Sequence, residues 1–251
     1  MSLVKTSLME NTSKQYKYKL RSFIWVLSSM MVIQLIGMAF SFGSTMSTGG
    51  GNGIYSINVS YFSSNAVIIF TILWVFLISL QITSVTYREN EFMFVRNKTS
   101  NVFSDVLFLM TASIIGTATA LLSEYLVANI RYYIFGMVNL FGEGVTPTLL
   151  EIIYGVIALA LILFAFSMLG YLIGVLVQIS KLFIPIIPAV IIGSIYLSEQ
   201  MNTYGDNLMI KLFQFYFLES NFLLFVLKFI VSALAFMFIA LGLSQRLEVR
   251  E

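Results

Sequence analysis

The chain has 251 residues, of which 59% are hydrophobic and only 10% are charged, and its formal net charge is +2. A soluble domain of this length carries far more charge, so the composition indicates a membrane protein and gives no basis for nucleic-acid binding. The chain contains no cysteine and no histidine, which excludes disulfides, thiolate nucleophiles, histidine general bases and the common zinc and copper sites.

The N-terminal tail, residues 1–22, predicts an amphipathic helix ahead of the first apolar run. Basic residues share one face of such a helix and apolar or aromatic residues share another, namely Lys14, Lys17 and Arg21 against Tyr16, Leu20 and Phe23. This pattern is typical of a helix in the headgroup layer of a membrane, although a plain basic anchor flanking a span fits equally well. The apolar run that follows is longer than the core of a signal peptide, so we expect a retained span.

Six apolar runs are candidate transmembrane helices, because about 20 helical residues cross the hydrocarbon core of a bilayer. The predicted spans are 23–42, 66–85, 106–128, 152–177, 182–197 and 222–243. The fifth run is short and contains Pro185 and Pro188, so we expect a short, kinked helix there. Residues 49–53, GGGNG, fall between the first two spans without the lysine of a phosphate-binding loop, and we expect a flexible external loop.

The distribution of lysine and arginine orients these spans, because cytoplasmic loops carry an excess of both. Most of the 14 such residues fall in the N-terminal tail, where Lys19 is one of them, in the second and fourth loops, and in the C-terminal tail. Both termini are therefore predicted to be cytoplasmic. Residues 86–105 then form a cytoplasmic loop between the second and third spans.

The second loop gathers charge in the stretch YRENEFMFVRNKTSNVFSD, residues 87–105. Arg88, Glu91 and Lys98 stand at spacings of three and seven, which predicts a short amphipathic surface helix. Because the stretch mixes both charge signs, it suits a polar groove on another protein better than an anionic lipid surface. A loop whose charges serve only topology and solubility is the alternative.

The last external segment, residues 198–221, contains the stretch GDNLMIKLFQFYFLES. Asn207, Lys211 and Gln214 recur in it at helical spacing among aromatic and aliphatic residues, which predicts an external helix at or in the outer leaflet. A plain interfacial loop with aromatic belt residues is the alternative.

Small residues in the spans indicate candidate helix–helix contacts, because helices in lipid associate through close packing rather than through the hydrophobic effect. Ala112, Gly116 and Ala120 recur every four residues in the third span, and Gly170 and Gly174 form a GxxxG pair in the fourth. The sequence leaves open whether these faces meet within one chain or between two chains. Internal packing is the more common outcome.

Two ionisable residues, Glu124 and Lys228, fall inside predicted spans. A charge at the bilayer centre costs about 2.5–3.5 kcal/mol on insertion scales, and such residues are often functional. Both lie off-centre, so snorkelling or mutual pairing explains them, with Arg131 as another partner for Glu124. A role in a translocation path is the alternative.

The whole layout resembles the permease subunits of ATP-binding cassette (ABC) transporters of the type 2 exporter class. The resemblance is carried by the basic amphipathic tail, the six spans, the charged second loop, a very short fourth loop at QISK and the external segment before the last span. It implies an all-α membrane protein with six transmembrane helices, an N-terminal interfacial helix and an external helical segment, forming one transmembrane domain over residues 1–251.

The resemblance also implies that one subunit forms the pore and another binds and hydrolyses ATP. In such permeases the second loop forms a coupling helix that sits in a cleft of a cytoplasmic ATPase subunit. The matching positions here are Arg88, Glu89, Glu91, Phe92 and Arg96, with Lys181 in the fourth loop as a second contact. Because the chain has no GxxxxGK[ST] phosphate loop, ATP and magnesium would be bound by the partner ATPase. This chain would then be a non-enzymatic pore subunit without a cofactor or metal of its own.

Permeases of the resembled class work in pairs, so the implied partners include membrane lipid and a second permease, identical or related. The candidate packing or interface residues are Gly116, Gly170, Gly174, Pro185, Pro188 and Gly193. The expected substrates are hydrophobic or amphipathic peptides or antimicrobial compounds. The residue usage is typical of a Gram-positive bacterium, so we expect a peptide export or resistance system in the plasma membrane.

Other classes of function stay open. A secondary transporter would want ion-binding groups within the membrane and an internal repeat, and the sequence indicates neither. A substrate-binding subunit of a vitamin importer would also have about six spans. An intramembrane protease is disfavoured by the missing histidine, and an aspartyl type would want two membrane aspartates, whereas Asp105 stands at a helix end with no second aspartate as its partner. A scaffold or sensor without transport activity is a further alternative.

Overall fold

The computed structural model describes residues 8–43, 45–51, 56–62, 65–84, 98–135, 148–200 and 208–246. Within these ranges the chain forms eight α-helices and one two-stranded sheet. The helices are α1 Leu8–Ser22, α2 Ile24–Gly43, α3 Asn65–Ile82, α4 Lys98–Phe135, α5 Leu149–Ile179, α6 Phe183–Gln200, α7 Leu208–Phe217 and α8 Phe222–Arg246. The helical character predicted from the apolar runs is confirmed.

Five helices in the described part of the chain are long and apolar enough to cross a membrane. They are Ile24–Phe42, Asn65–Ile82, Thr99–Ile130, Leu149–Ile179 and Phe222–Gln245. The predicted fifth span, 182–197, coincides with α6, which has Pro188 in its interior but is not one of these five. The structure therefore supports a membrane-embedded helical protein, and the count of six spans stays a prediction.

Helices α4 and α5 extend beyond the spans predicted for them. They contain 38 and 31 residues, or about 57 and 46 Å at 1.5 Å per residue, against a hydrocarbon core of about 30 Å. Helix α4 begins at Lys98, so residues 98–105 are helical although they were predicted to belong to the second loop. The first two turns of α4 thus follow directly on the remaining part of that loop.

The segment between α2 and α3 forms a β-hairpin, which the sequence analysis did not predict. Strand β1, Thr45–Gly51, pairs antiparallel with β2, Ser56–Phe62, so that Thr45 lies opposite Phe62. The expectation of a flexible loop at residues 49–53 is wrong for 49–51, which belong to β1. The overlooked signal was the alternation of apolar and polar residues in SINVSYF, which has the period of a strand.

Two helices, α5 and α8, begin at residues whose side chains satisfy free backbone amides. Thr148 and Glu151 form a capping box at the start of α5, in which the Thr148 amide donates to the Glu151 carboxylate at 2.8 Å and the Glu151 amide donates to the Thr148 hydroxyl at 3.4 Å. At the start of α8, the Leu223 amide donates to Asn221 Oδ1 at 3.0 Å. These caps set where both helices begin.

The GxxxG pair of α5 packs against the end of α3 in the same chain. A Cβ atom added at Gly170 would lie 2.1 Å from Ser79 Oγ, and one at Gly174 would lie 1.9 Å from Thr83 Oγ1. The two hydroxyls donate to carbonyl oxygens of their own segment, those of Phe76 and Leu80, both at 2.7 Å. Gly170 and Gly174 therefore act as internal packing residues, because only glycine permits so close an approach.

The other predicted packing residues differ in their surroundings. A Cβ at Gly116 would make ordinary contacts, 3.4 Å from Thr71 Cγ2, whereas Gly37, which was not predicted, is tighter at 3.0 Å from the Val67 Cα. A Cβ at Gly193 would meet no described atom within 4 Å. The two prolines, Pro185 and Pro188, are exposed. An interface role for Gly193 and the prolines stays a prediction.

The chain divides into two compact units. The first unit comprises the described residues of Met1–Lys19, Phe76–Leu109 and Phe164–Glu251, and the second comprises those of Leu20–Val75 and Met110–Leu163. Within the first unit lies the contact of Gly170 and Gly174 with α3. Within the second unit lies the close approach of Gly37 to Val67.

Candidate functional site

Helix α1 presents a polar face to the start of α4 within the first unit. The hydroxyls of Thr12 and Ser100 share a hydrogen bond of 3.0 Å, and the Ser100 hydroxyl also donates to Gln15 Oε1 at 3.3 Å. Thr12, Gln15 and Lys19 stand at intervals of three and four, so they fall on one side of the helix. Through this face, α1 packs against the first two turns of α4.

Lys19 is the centre of this contact. Its Nζ donates to Asp105 Oδ1 at 2.5 Å and to Asn101 Oδ1 at 2.7 Å. The other carboxylate oxygen, Asp105 Oδ2, accepts a hydrogen bond of 3.1 Å from the Tyr171 hydroxyl on α5. These four residues, which we call the Lys19 cluster, connect α1, α4 and α5.

The Lys19 cluster is almost wholly withdrawn from solvent. The side chains of Lys19 and Asp105 are 1% and 5% exposed. Charges buried to this degree are tolerated when they are paired and their remaining donors and acceptors are satisfied. Among the described residues, every buried polar side-chain atom has a hydrogen-bond partner. The Lys19 ammonium and the Asp105 carboxylate therefore stabilise each other in a buried position.

The sequence analysis did not predict this ion pair. Lys19 was counted as one of several basic residues that orient the tail, and Asp105 was considered only as a lone aspartate at a helix end, whereas the structure pairs the two. Lys14 and Lys17 are exposed as predicted, but the most buried positions of α1 are Gln15 and Lys19. The usable signal was a second polar stripe on α1, namely Thr12, Gln15 and Lys19, together with the polar residues at the start of α4.

Of the residues predicted to contact an ATPase, the structure describes only Lys181. Arg88, Glu89, Glu91, Phe92 and Arg96 lie outside the described residues. Lys181 lies exposed in the turn between α5 and α6, where the predicted short fourth loop is confirmed. Two members of the Lys19 cluster, Asn101 and Asp105, lie on α4, the helix that follows these loop residues in the chain.

A second polar cluster lies within the second unit and carries no charge. The side-chain amide nitrogen of Gln34 on α2 lies 3.2 Å from Thr71 Oγ1 on α3, 3.0 Å from Thr119 Oγ1 and 3.3 Å from the Gly116 carbonyl oxygen on α4. Gln34 is 3% exposed. An amide in this position joins three membrane helices, because polar side chains in a bilayer bond to each other rather than to water.

The two ionisable residues predicted inside spans have different surroundings. Lys228 on α8 forms an ion pair with Glu219, donates to the Phe215 carbonyl oxygen at 2.8 Å and lies 4.0 Å from the centre of the Phe215 ring. Phe215 lies in the last turn of α7 and Glu219 lies two residues beyond its end. The contacts of Lys228 therefore hold the end of α7 against α8. Glu124 is exposed on α4. The partner of Lys228 is therefore Glu219, a residue of the segment 198–221 that was predicted to be external.

Comparisons of the chain with protein-family models, with curated proteins and with solved structures find no match. Among the described residues, no group of three or more acidic, histidine or cysteine side chains is arranged to hold a metal ion. The arrangement of described residues on which a function can be argued is the Lys19 cluster, which joins α1, α4 and α5 at the start of α4.

Proposed function

We propose that this chain is the transmembrane permease subunit of an ATP-driven ABC exporter in a bacterial plasma membrane, with both termini in the cytoplasm. It moves hydrophobic or amphipathic peptides or antimicrobial compounds, and a separate ATPase subunit binds and hydrolyses ATP. The order of the observed elements supports this proposal. Helix α1 precedes the apolar helices, a short turn joins α5 to α6, and the short helix α7 precedes the last span.

The observation that carries the proposal is the attachment of α1 to the first two turns of α4. A cytoplasmic ATPase that pushes on the second loop acts on α4, which follows that loop in the chain, and contacts at the start of α4 pass its movement to neighbouring helices. Lys19 fixes α4 to α1, and Tyr171 fixes the same carboxylate to α5. Displacement of the loop is thus passed to three helices together.

The residues of the second loop have the roles that the resemblance assigns to them. Arg88, Glu89, Glu91, Phe92 and Arg96 enter the cleft of the ATPase, where charges of both signs give a specific orientation. Lys181, exposed in the turn before α6, makes the second contact with the ATPase. A second permease, identical or related, completes the pathway.

The test is purification of the tagged full chain from its native host in mild detergent, with identification of the copurifying proteins by mass spectrometry. We expect an ATPase with a phosphate loop, and we expect its loss in the charge-reversed variant Glu91→Arg with Arg96→Glu. The matched control is Glu10→Lys with Lys14→Glu, which exchanges the partners of an exposed ion pair of 2.7 Å on α1. A chain that purifies alone and moves solute without ATP would contradict the proposal.

A proton- or sodium-coupled secondary transporter is a second candidate, because the Asp105 carboxylate is buried within the candidate span Thr99–Ile130. Lys19 already neutralises this carboxylate, so a coupling ion would first have to break the pair. Transport into proteoliposomes driven by a proton or sodium gradient without ATP, and abolished by Asp105→Asn, would favour this candidate.

A further inference from the structure

A cavity of about 130 Å³ lies between α5, α7 and α8 within the first unit. Its walls include Ala165 and Leu169 from α5, Phe217 from α7, and Phe229, Ser232 and Phe236 from α8. Two further aromatic side chains complete a lining that is almost wholly hydrocarbon. Because aromatic rings are rigid, the space is bounded by side chains that do not collapse easily into it.

Almost none of the lining surface of the cavity is polar. Two lining residues, Ser232 and Tyr216, have hydroxyl groups, and that of Ser232 donates to the Phe229 carbonyl oxygen at 3.0 Å. An apolar cavity of about 150 Å³ in another protein stays free of water and binds small apolar molecules. The ligand that suits the present cavity is therefore a hydrocarbon group.

The size of the cavity limits how much of a ligand it can hold. Pockets for drug-sized molecules measure about 300–1,000 Å³, well above the present 130 Å³. The space accommodates a short length of hydrocarbon chain rather than a whole ligand. The rest of the bound molecule must then lie outside the cavity.

A charged pair stands at one end of the cavity. Lys228, which pairs with Glu219, directly precedes Phe229 on α8. Ser232 and Phe236 follow Lys228 by four and eight residues, or about 6 and 12 Å along the helix. The site thus changes from charged to apolar along α8, as an amphipathic lipid does along its length.

We propose that this cavity binds part of one acyl chain of a phospholipid from the surrounding bilayer, with the headgroup at the level of Lys228 and Glu219. Helices α5 and α8 are both candidate spans, so lipid hydrocarbon surrounds them on their exposed faces. Phe217 at the wall is 39% exposed and marks the side from which a chain enters. The bound chain fills the space between α7 and α8, and this role does not depend on an ATPase.

The proposal is tested with the purified full chain in phosphatidylcholine vesicles that contain phosphatidylcholine with a photoactivatable acyl chain. After irradiation, mass spectrometry locates the labelled residues. We expect labelling concentrated at Phe217, Phe229 and Phe236. The variant Ser232→Phe places a ring in the cavity and is expected to reduce this labelling several-fold.

The matched control is Val231→Phe, which adds the same ring one position away on a face that is 55% exposed. It is expected to leave the labelling of the cavity residues unchanged.

If Ser232→Phe fails to fold, as judged by its circular dichroism, Ala165→Leu fills the cavity from α5 and has the same expected effect. Labelling that spreads evenly over the exposed face of α8, or that is equal in filled and control variants, would overturn the proposal. Labelling of the cavity by a free photoactivatable hydrocarbon but not by the phospholipid would also overturn it.

Discussion

Lys19 in the first unit and Gln34 in the second both bury a side-chain nitrogen among helices, but only Lys19 carries a charge. The Lys19 ammonium is held by Asp105 and Asn101, whereas the Gln34 amide bonds to two threonine hydroxyls and a carbonyl group. Loss of a charged partner leaves an unpaired ion in a medium of low dielectric constant. Loss of the amide leaves only neutral groups, which find local partners.

We expect the two contacts to respond differently to substitution. In the contact of α1 with α4, removal of one member of the Lys19–Asp105 pair leaves the other charge buried without this counter-ion. The contact among α2, α3 and α4 is divided among several neutral hydrogen bonds, so removal of one side chain leaves no buried charge.

The largest effect is expected from Lys19→Ala, which leaves the buried Asp105 carboxylate without its ammonium. We expect the free energy of unfolding in detergent to fall by about 3–5 kcal/mol. Chemical denaturation followed by tryptophan fluorescence measures this loss. The double variant Lys19→Met with Asp105→Leu removes both charges and is expected to regain most of it. A double variant as unstable as the single one would show that the charge is not the cause.

A smaller loss is expected from Gly174→Ala, which also disturbs the first unit but by steric overlap. The added Cβ would lie 1.9 Å from Thr83 Oγ1, and overpacking of this kind costs about 1–3 kcal/mol. The control is Gly155→Ala on the same helix, where no described atom lies within 4 Å of the new Cβ. It is expected to leave the unfolding free energy unchanged or to raise it. Equal losses in both variants would refute the close contact.

The uncharged cluster of the second unit is tested by Gln34→Leu. Hydrogen bonds between membrane helices contribute on average about 0.6 and at most about 1.7 kcal/mol, so the loss should stay within this range. The control is Gln81→Leu, because Gln81 is exposed on α3. A loss as large as that of Lys19→Ala would remove the distinction between the two clusters.

The smallest effect is expected from Lys228→Met, which breaks the ion pair with Glu219. These side chains are 18% and 21% exposed, and ion pairs in contact with solvent contribute about 0–1 kcal/mol. Because salt screens such pairs, the effect should shrink at high ionic strength, whereas the effect of Lys19→Ala should persist. Unfolding free energies measured at low and high salt distinguish the effect of Lys228→Met from that of Lys19→Ala. The exposed control is Lys181→Met.

Much of the helical architecture could be predicted from local sequence, but the close contacts were only partly predictable. All six predicted spans coincide with helices, five of which are long and apolar enough to cross a membrane, and the helix predicted in residues 198–221 is α7. The GxxxG spacing at Gly170 and Gly174 correctly indicated close packing, but not that α3 is the partner. The hairpin was missed because its glycine-rich first strand resembles a loop when it is considered without its partner.

What the sequence by itself determined is the membrane environment and the places where helices form. Both follow from runs of apolar residues, whose preference for hydrocarbon does not depend on their neighbours in space. Only the tertiary structure decided that Lys19 meets Asp105, 86 residues away along the chain. That pairing requires particular rotations of α1 and α4 about their axes, and these are set by packing against other helices rather than by the composition of either one.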